Sequence, residues 1–221
     1  MSTNEPNARV RIRHKADELF MRYGIRSVSM DEIASGLGIS KKTIYQYFSD
    51  KNELVDAVVE NILDSMRADC SQCSTRANDA VHEIFLTMQT IVAQFRNMNS
   101  TVVHDLEKYH DKAFRKLSDH KHKFLLEIVR NNLERGIREG LFRADIDMDV
   151  LSRFRLETMM MPFNITLFPS EKYQLTDVTI GILEHYVFGL ASLKGHQLIL
   201  QYKEERTKAK HYDTLPGSKA N

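Results

Sequence analysis

Lys41, Lys42, Thr43, Tyr45, Gln46 and Tyr47 fall within one short run, and each carries a group suited to the surface of double-stranded DNA. A lysine ammonium pairs with phosphate or donates to guanine O6 and N7. A threonine methyl can meet a thymine methyl, a glutamine amide can bond adenine twice, and tyrosine hydroxyls reach phosphate oxygens. Ser29 and Lys51 flank the run. Each stands at the expected N-terminal end of a helix, where free amides and the dipole favour an anion. These eight residues are the candidate DNA contacts.

The elements that must position them are legible in the same stretch, SMDEIASGLGISKKTIYQYF. Ser29 and Glu32 have the spacing of a capping box, so a helix opens there. Ile33, Ala34 and Leu37 share one face, and small Ala34 lets a second helix approach. Gly38 suits the left-handed conformation that stops a helix. Ser40 caps the next one, in which Ile44 and Phe48 point inward and the polar run points out. Asp50 with Glu53 opens a further helix at about Lys51. Two short helices joined by a tight turn, with basic and aromatic residues outward, predict a helix-turn-helix reading head. Arg9, Arg11 and Arg13 add a basic first turn ahead of it.

The run from about Arg9 to Leu54, through ADELFMRYGIRSVSMDEIASGLGISKKTIYQYFSDKNEL, resembles the DNA-binding domain of the TetR/AcrR family of bacterial transcriptional regulators. The likeness is carried by Ala16, Leu19, Phe20, Gly24, Ser29, Ile33, Ala34, Gly38, Ser40, Tyr45, Phe48, Lys51 and Leu54. It departs at Tyr47, where members often carry histidine. The resemblance implies a homodimer on a pseudo-palindromic operator, a small-molecule effector bound in the body, and a dimer contact on the last two helices expected, about Val150–Met161 and Leu175–Leu193. It also implies repression relieved by ligand.

Composition agrees with a helical chain. With only four prolines and nine glycines in 221 residues, long uninterrupted helices are expected. The net charge of +1 hides an asymmetry. Arg9 to Lys51 holds nine Lys/Arg against five Asp/Glu, and the remainder is slightly acidic. A basic module on an acidic body suits one-sided phosphate contact. The spacing predicts an all-α fold of about nine helices. A three-helix DNA-binding domain over 1–50 precedes a larger ligand-binding and dimerisation domain over 51–201, with a polar, disordered tail over 202–221. Helices are expected over 9–23, from 51 past Met66, over 79–97, over 104–139 with a bend near His110 and a weak point at Gly136, over 147–159, and over 175–193.

The effector implied by the resemblance is expected among Met66, Phe85, Met88, Phe95, Met159, Met160, Met161 and Phe163, a soft and adaptable set. Taken singly, core packing is the favoured reading of each. The helix over 175–193 is apolar on nearly every side, as a helix between layers or subunits must be. Val178, Ile182, Tyr186, Gly189, Leu190 and Leu193 are its candidate dimer contacts.

Other chemistry finds little support. His104, Glu107, His110 and Asp111 have spacings that could gather metal ligands, but a solvated polar face is the favoured reading, and no metal or cofactor is expected. Cys70 and Cys73 form one C-x-x-C, read as ordinary reduced thiols with a redox sensor as the alternative. No Gly-x-Ser-x-Gly, His-Glu-x-x-His, P-loop or dinucleotide glycine run occurs, so an enzyme is not expected. No 18-residue apolar stretch and no apolar leader core appear, so a cytoplasmic protein is expected. A helical scaffold without DNA recognition is the competing class.

Overall fold

The computed structural model describes the backbone of residues 5–213 and the side-chain surroundings of residues 8–207. Among these residues the chain is all-α. Its segments are α1 (Glu5–Tyr23), α2 (Met30–Leu37), α3 (Lys41–Tyr45), α4 (Lys51–Arg76), α5 (Ala80–Phe95), α6 (Val102–Tyr109) and α7 (Asp111–His120). A π turn (Lys121–Leu125) follows, then α8 (Leu126–Arg138), α9 (Met148–Met160), a 3-10 turn (Met161–Phe163), α10 (Leu175–Leu190) and α11 (Leu193–Asp213). α7, the π turn and α8 run on as one rod. No described helix is long and apolar enough to cross a membrane.

Local chemistry sets most of the boundaries. Side chains of Ser29, Ser40, Asp50, Asp79 and Asp147 each accept from a first-turn amide and open α2, α3, α4, α5 and α9. Gly24 and Gly38 take φ of 84° and 65°, which a side chain rarely tolerates, and end α1 and α2. α3 is shorter than the sequence predicts, because Gln46 and Tyr47 continue only as a turn.

Two hydrophobic cores form. The first gathers Ile12, Ala16 and Phe20 of α1, Ile33 and Ala34 of α2, Ile44, Phe48, and the first half of α4. Val102, Leu106 and Ala113 of α6 and α7 belong to it too. The second joins α5, α8, α10 and α11.

α8 runs unbroken through Gly136, which makes room for Phe142: the ring's Cδ2 lies 2.0 Å from where a Cβ would stand. Two expectations need correction. The helix expected over 175–193 stops at Leu190. Segment 141–143 crosses there, forming an antiparallel bridge from Phe142 to Ala191 and bonds from Arg143 N to Leu190 O and Ser192 N to Leu141 O, both 2.9 Å. The polar tail is not disordered over its first part. α11 continues through residue 202, where the Tyr202 hydroxyl donates to Asp79 at 2.8 Å, and Lys203 and Arg206 pair with Glu184 at 2.7 and 3.0 Å. Those acidic partners on other helices are invisible to local composition. The expectation for 214–221 lies outside the described residues.

Candidate nucleic-acid interface

The reading head is built from α1 to α4. The Ser29 hydroxyl donates to Glu32 Oε2 at 2.8 Å and accepts from the Glu32 amide at 3.2 Å, while the Ser29 amide donates to the same carboxylate at 2.6 Å. Those bonds, backbone first, hold the Glu32 carboxyl below its ordinary range. Gly38 then turns the chain, and its amide donates to Ser35 O at 3.1 Å. Ser40 receives the Thr43 amide at 3.1 Å and shares a hydroxyl contact with Thr43 Oγ1 at 2.9 Å. With Ile44 fully buried beneath, α3 has one orientation open to it.

That orientation leaves Lys42, Tyr45 and Gln46 exposed, and their side chains make no hydrogen bond or ion pair with any described residue. Lys41 is exposed beside Asp31 at 2.7 Å, and the hydrogen bond raises its pKa above the ordinary lysine value. An exposed pair of this kind contributes little and can exchange for a phosphate. Thr43 and Tyr47 are half-buried. These six side chains cluster around one short helix at the end of the molecule.

Ser29 and Lys51 are differently placed. The Ser29 hydroxyl is occupied by its own capping box, beside a carboxylate that repels phosphate. Lys51 is turned inward: Nζ donates to Ile25 O at 2.6 Å and Val28 O at 2.5 Å, and lies 5.8 Å from the Phe20 ring centre. Burial pushes its pKa down. It ties the loop between α1 and α2 to α4, a role that spacing alone did not suggest. Arg9, though exposed, is also engaged within the head. Its guanidinium lies 4.2 Å from the Phe48 ring centre, bonds the Tyr47 carbonyl and reaches Glu53 at 3.3 Å.

The head meets the body at the α6–α7 corner. Asp105 accepts from the Arg26 amide at 2.9 Å, His110 Nδ1 lies 2.7 Å from Asn52 Oδ1, and Lys112 pairs with Asp56 at 2.6 Å. An open cleft of about 420 Å³ lies along this seam. His110 breaks the helix, so His104, Glu107, His110 and Asp111 do not share one continuous face. Among the described residues no group of three or more His, Cys, Asp or Glu could hold a metal. Cys70 and Cys73 are both free, and burial pushes the Cys70 thiol up to about 11, away from thiolate reactivity.

The candidate effector residues divide. Phe85 and Met88 are buried in the second core at 2% and 0% exposure. Met66 packs against the first core, and Met161 is exposed where the 3-10 turn begins. Phe95, Met159 and Met160 are half-buried, and the Phe95 ring meets the buried Phe163 edge-on at 5.1 Å. The candidate dimer residues divide as well. Tyr186 and Leu190 are buried within the chain itself, because that side of α10 faces α5 and α9, so they offer no surface to a second copy. Gly189 and Leu193 are exposed, and Val178 and Ile182 half-exposed, with Val150 and Phe154 of α9 also outward.

Residues 12–58 match the family model for bacterial regulatory proteins of the tetR family. The HTH-type transcriptional repressor KstR2 of Mycobacterium tuberculosis is 28% identical over 153 residues, covering 65% of this chain and 73% of the relative. A solved structure of the ketosteroid transcriptional regulator KstR2 of Mycobacterium tuberculosis superposes with a TM-score of 0.57 at 22% identity, covering 86% of this chain and 98% of that one. The regulator FadR from Bacillus subtilis, solved with stearoyl-CoA, gives 0.60 at 16%, covering 82% and 98%.

Proposed function

The chain belongs to the tetR family of bacterial regulatory proteins, transcription regulators rather than enzymes, and from that premise we propose that it is a ligand-responsive repressor that binds a pseudo-palindromic operator as a homodimer. The observation that carries this reading is the capped α2–Gly38–α3 unit, with Lys42, Tyr45 and Gln46 outward and uncommitted. The N-terminal turn of α3 enters the major groove. Lys42 and Gln46 read base edges, Thr43 offers its methyl, and Lys41, Tyr45 and Tyr47 hold phosphates. Ser29 joins them only by exchanging its Glu32 bond for a phosphate. Lys51 acts from behind by fixing the loop before α2.

One head covers few base pairs, so affinity comes from two heads on a twofold axis. The outward residues of α9 and α10 are the surface for that pairing, with the reading head ending near residue 50 and the ligand-binding and dimerising body following. Such a protein works where the DNA is, in the cytoplasm. A bound effector that prefers one separation of the heads shifts the dimer away from DNA. The α6–α7 corner is the path, since Asp105, His110 and Lys112 join it to the head.

Selection of bound sequences from a random DNA library tests this directly. An enriched inverted repeat is the expected outcome. A folded dimer that enriches nothing at low salt would overturn the DNA-reading assignment in favour of a helical scaffold.

A further inference from the structure

Arg155 lies on the inward face of α9 at 5% exposure, yet it forms no ion pair and its guanidinium makes no hydrogen bond among the described residues. Its buried neighbours on α9 are satisfied: Ser152 bonds Asp149 O at 3.0 Å and Thr158 bonds the Arg155 carbonyl at 2.9 Å. The nearby carboxylates are engaged elsewhere, Asp149 with Arg130 and Arg153, and Glu157 with Lys121. What Arg155 does face is Tyr186 of α10, whose ring centre lies 5.5 Å from Cζ. The Tyr186 hydroxyl is itself buried and has no hydrogen-bond partner among the described residues. Burial pushes the Arg155 pKa down to about 10 and the Tyr186 pKa up, so at neutral pH both remain donors.

A buried cation without a counter-ion is costly, and a hydroxyl orphaned beside it adds to that cost. An anion from outside the chain relieves both at once. The surroundings say what else that anion carries. Met159 follows Arg155 one turn along the same face. Met160 and Phe163 follow it in the chain, and Phe95 packs on Phe163; all are half-buried or buried apolar side chains that belong to neither hydrophobic core. A single guanidinium fork with one neutral donor matches a planar monoanion, whereas a phosphate dianion would leave surplus charge buried.

We propose that Arg155 and Tyr186 are the headgroup end of the effector site, and that the effector is an apolar small molecule bearing one carboxylate. This rests on the reading of the chain as a ligand-responsive regulator.

The test uses the full chain, straight-chain carboxylates from octanoate to palmitate, and the primary amides of the same chains. Thermal shift and titration should show that carboxylates raise the Tm of the wild type and amides do not. Arg155→Met, which removes the buried charge, should keep or raise the Tm of the free protein and bind carboxylates about tenfold more weakly or worse. Tyr186→Phe keeps the fold if the methionine variant does not, and should weaken carboxylates while leaving amides unchanged. The proposal is overturned if no carboxylate shifts the wild type, if amides match the acids, or if the variants bind carboxylates as the wild type does. Conversion of Arg155→Met to a monomer on sedimentation would overturn it too, because a partner subunit's acid would then be the counter-ion. DNA binding in the same samples separates the two readings. Carboxylate binding without DNA release keeps the site and ends the effector role. Release by uncharged ligands alone keeps the regulator and ends the anion site.

Discussion

Lys42 and Lys51 show how differently two lysines of one head can act. Lys42 is exposed and its side chain makes no hydrogen bond or ion pair with a described residue, whereas Lys51 spends two donors on Ile25 and Val28 carbonyls. Lys42→Ala should therefore weaken operator binding by about 1–3 kcal/mol and relax the base preference at the position it reads, with Tm unchanged. Unchanged DNA affinity in a filter or anisotropy assay would remove Lys42 from the interface. A second residue-scale expectation concerns His120, buried at 4% exposure with neither ring nitrogen hydrogen-bonded to a described residue. Burial first, then the Arg67 charge, holds its pKa below the ordinary 6.5. The folded chain refuses a proton that the unfolded chain accepts, so stability is full above pH 6.5 and is lost as pH falls below it. His110 shifts in the same direction, by burial and the Lys51 charge. His120→Leu should thus lose less Tm than the wild type between about pH 7.5 and about pH 5.5. An equal loss would show that other groups carry the acid sensitivity. Residue type and spacing revealed the outward set on α3, because groove chemistry needs particular groups. They did not reveal that Lys51 faces inward, since its acceptors lie more than twenty residues earlier in the chain.

At the scale of elements, the caps and glycine stops were legible because each acts within one turn. Ser29, Gly38, Ser40, Asp50 and Asp147 stand where local bonding demands them. The break between α10 and α11 was not legible. Apolar periodicity runs through Leu190, and the interruption comes from Leu141 to Arg143, some fifty residues away. Gly195 belongs to the same junction. A Cβ there would stand 1.9 Å from the Leu141 carbonyl oxygen, a backbone atom held by Ser192 N. Gly195→Ala should destabilise the body by about 1–3 kcal/mol, visible as a lower denaturation midpoint, and leave the head's contacts intact. A wild-type midpoint would mean that α11 moves aside freely. The extent of α11 was missed for a related reason: its polar residues read as tail until Glu184 and Asp79 supply partners.

For the molecule as a whole, the periodicity indicated an all-round apolar helix without saying which residues it turns outward. Tyr186 and Leu190 close the second core, leaving Ile182 and Val178 beside exposed Gly181 and Gly189 as the outward side of α10, the surface proposed for a second copy. Ile182→Glu should yield a folded monomer by sedimentation with markedly weaker operator binding; a variant that stays dimeric would move the contact elsewhere. The two cores also bear on how the protein can be taken apart. Val58, Leu63, Val102, Leu106 and Ala113 share the core of α1 to α3, so a cut at residue 50 opens that core instead of skirting it. A designer grafting this head onto a foreign sensor cannot treat it as a cassette ending there. The smallest transplant that keeps the core whole runs to Leu117, so the recipient takes over the α6–α7 corner along with the donor's taste in DNA.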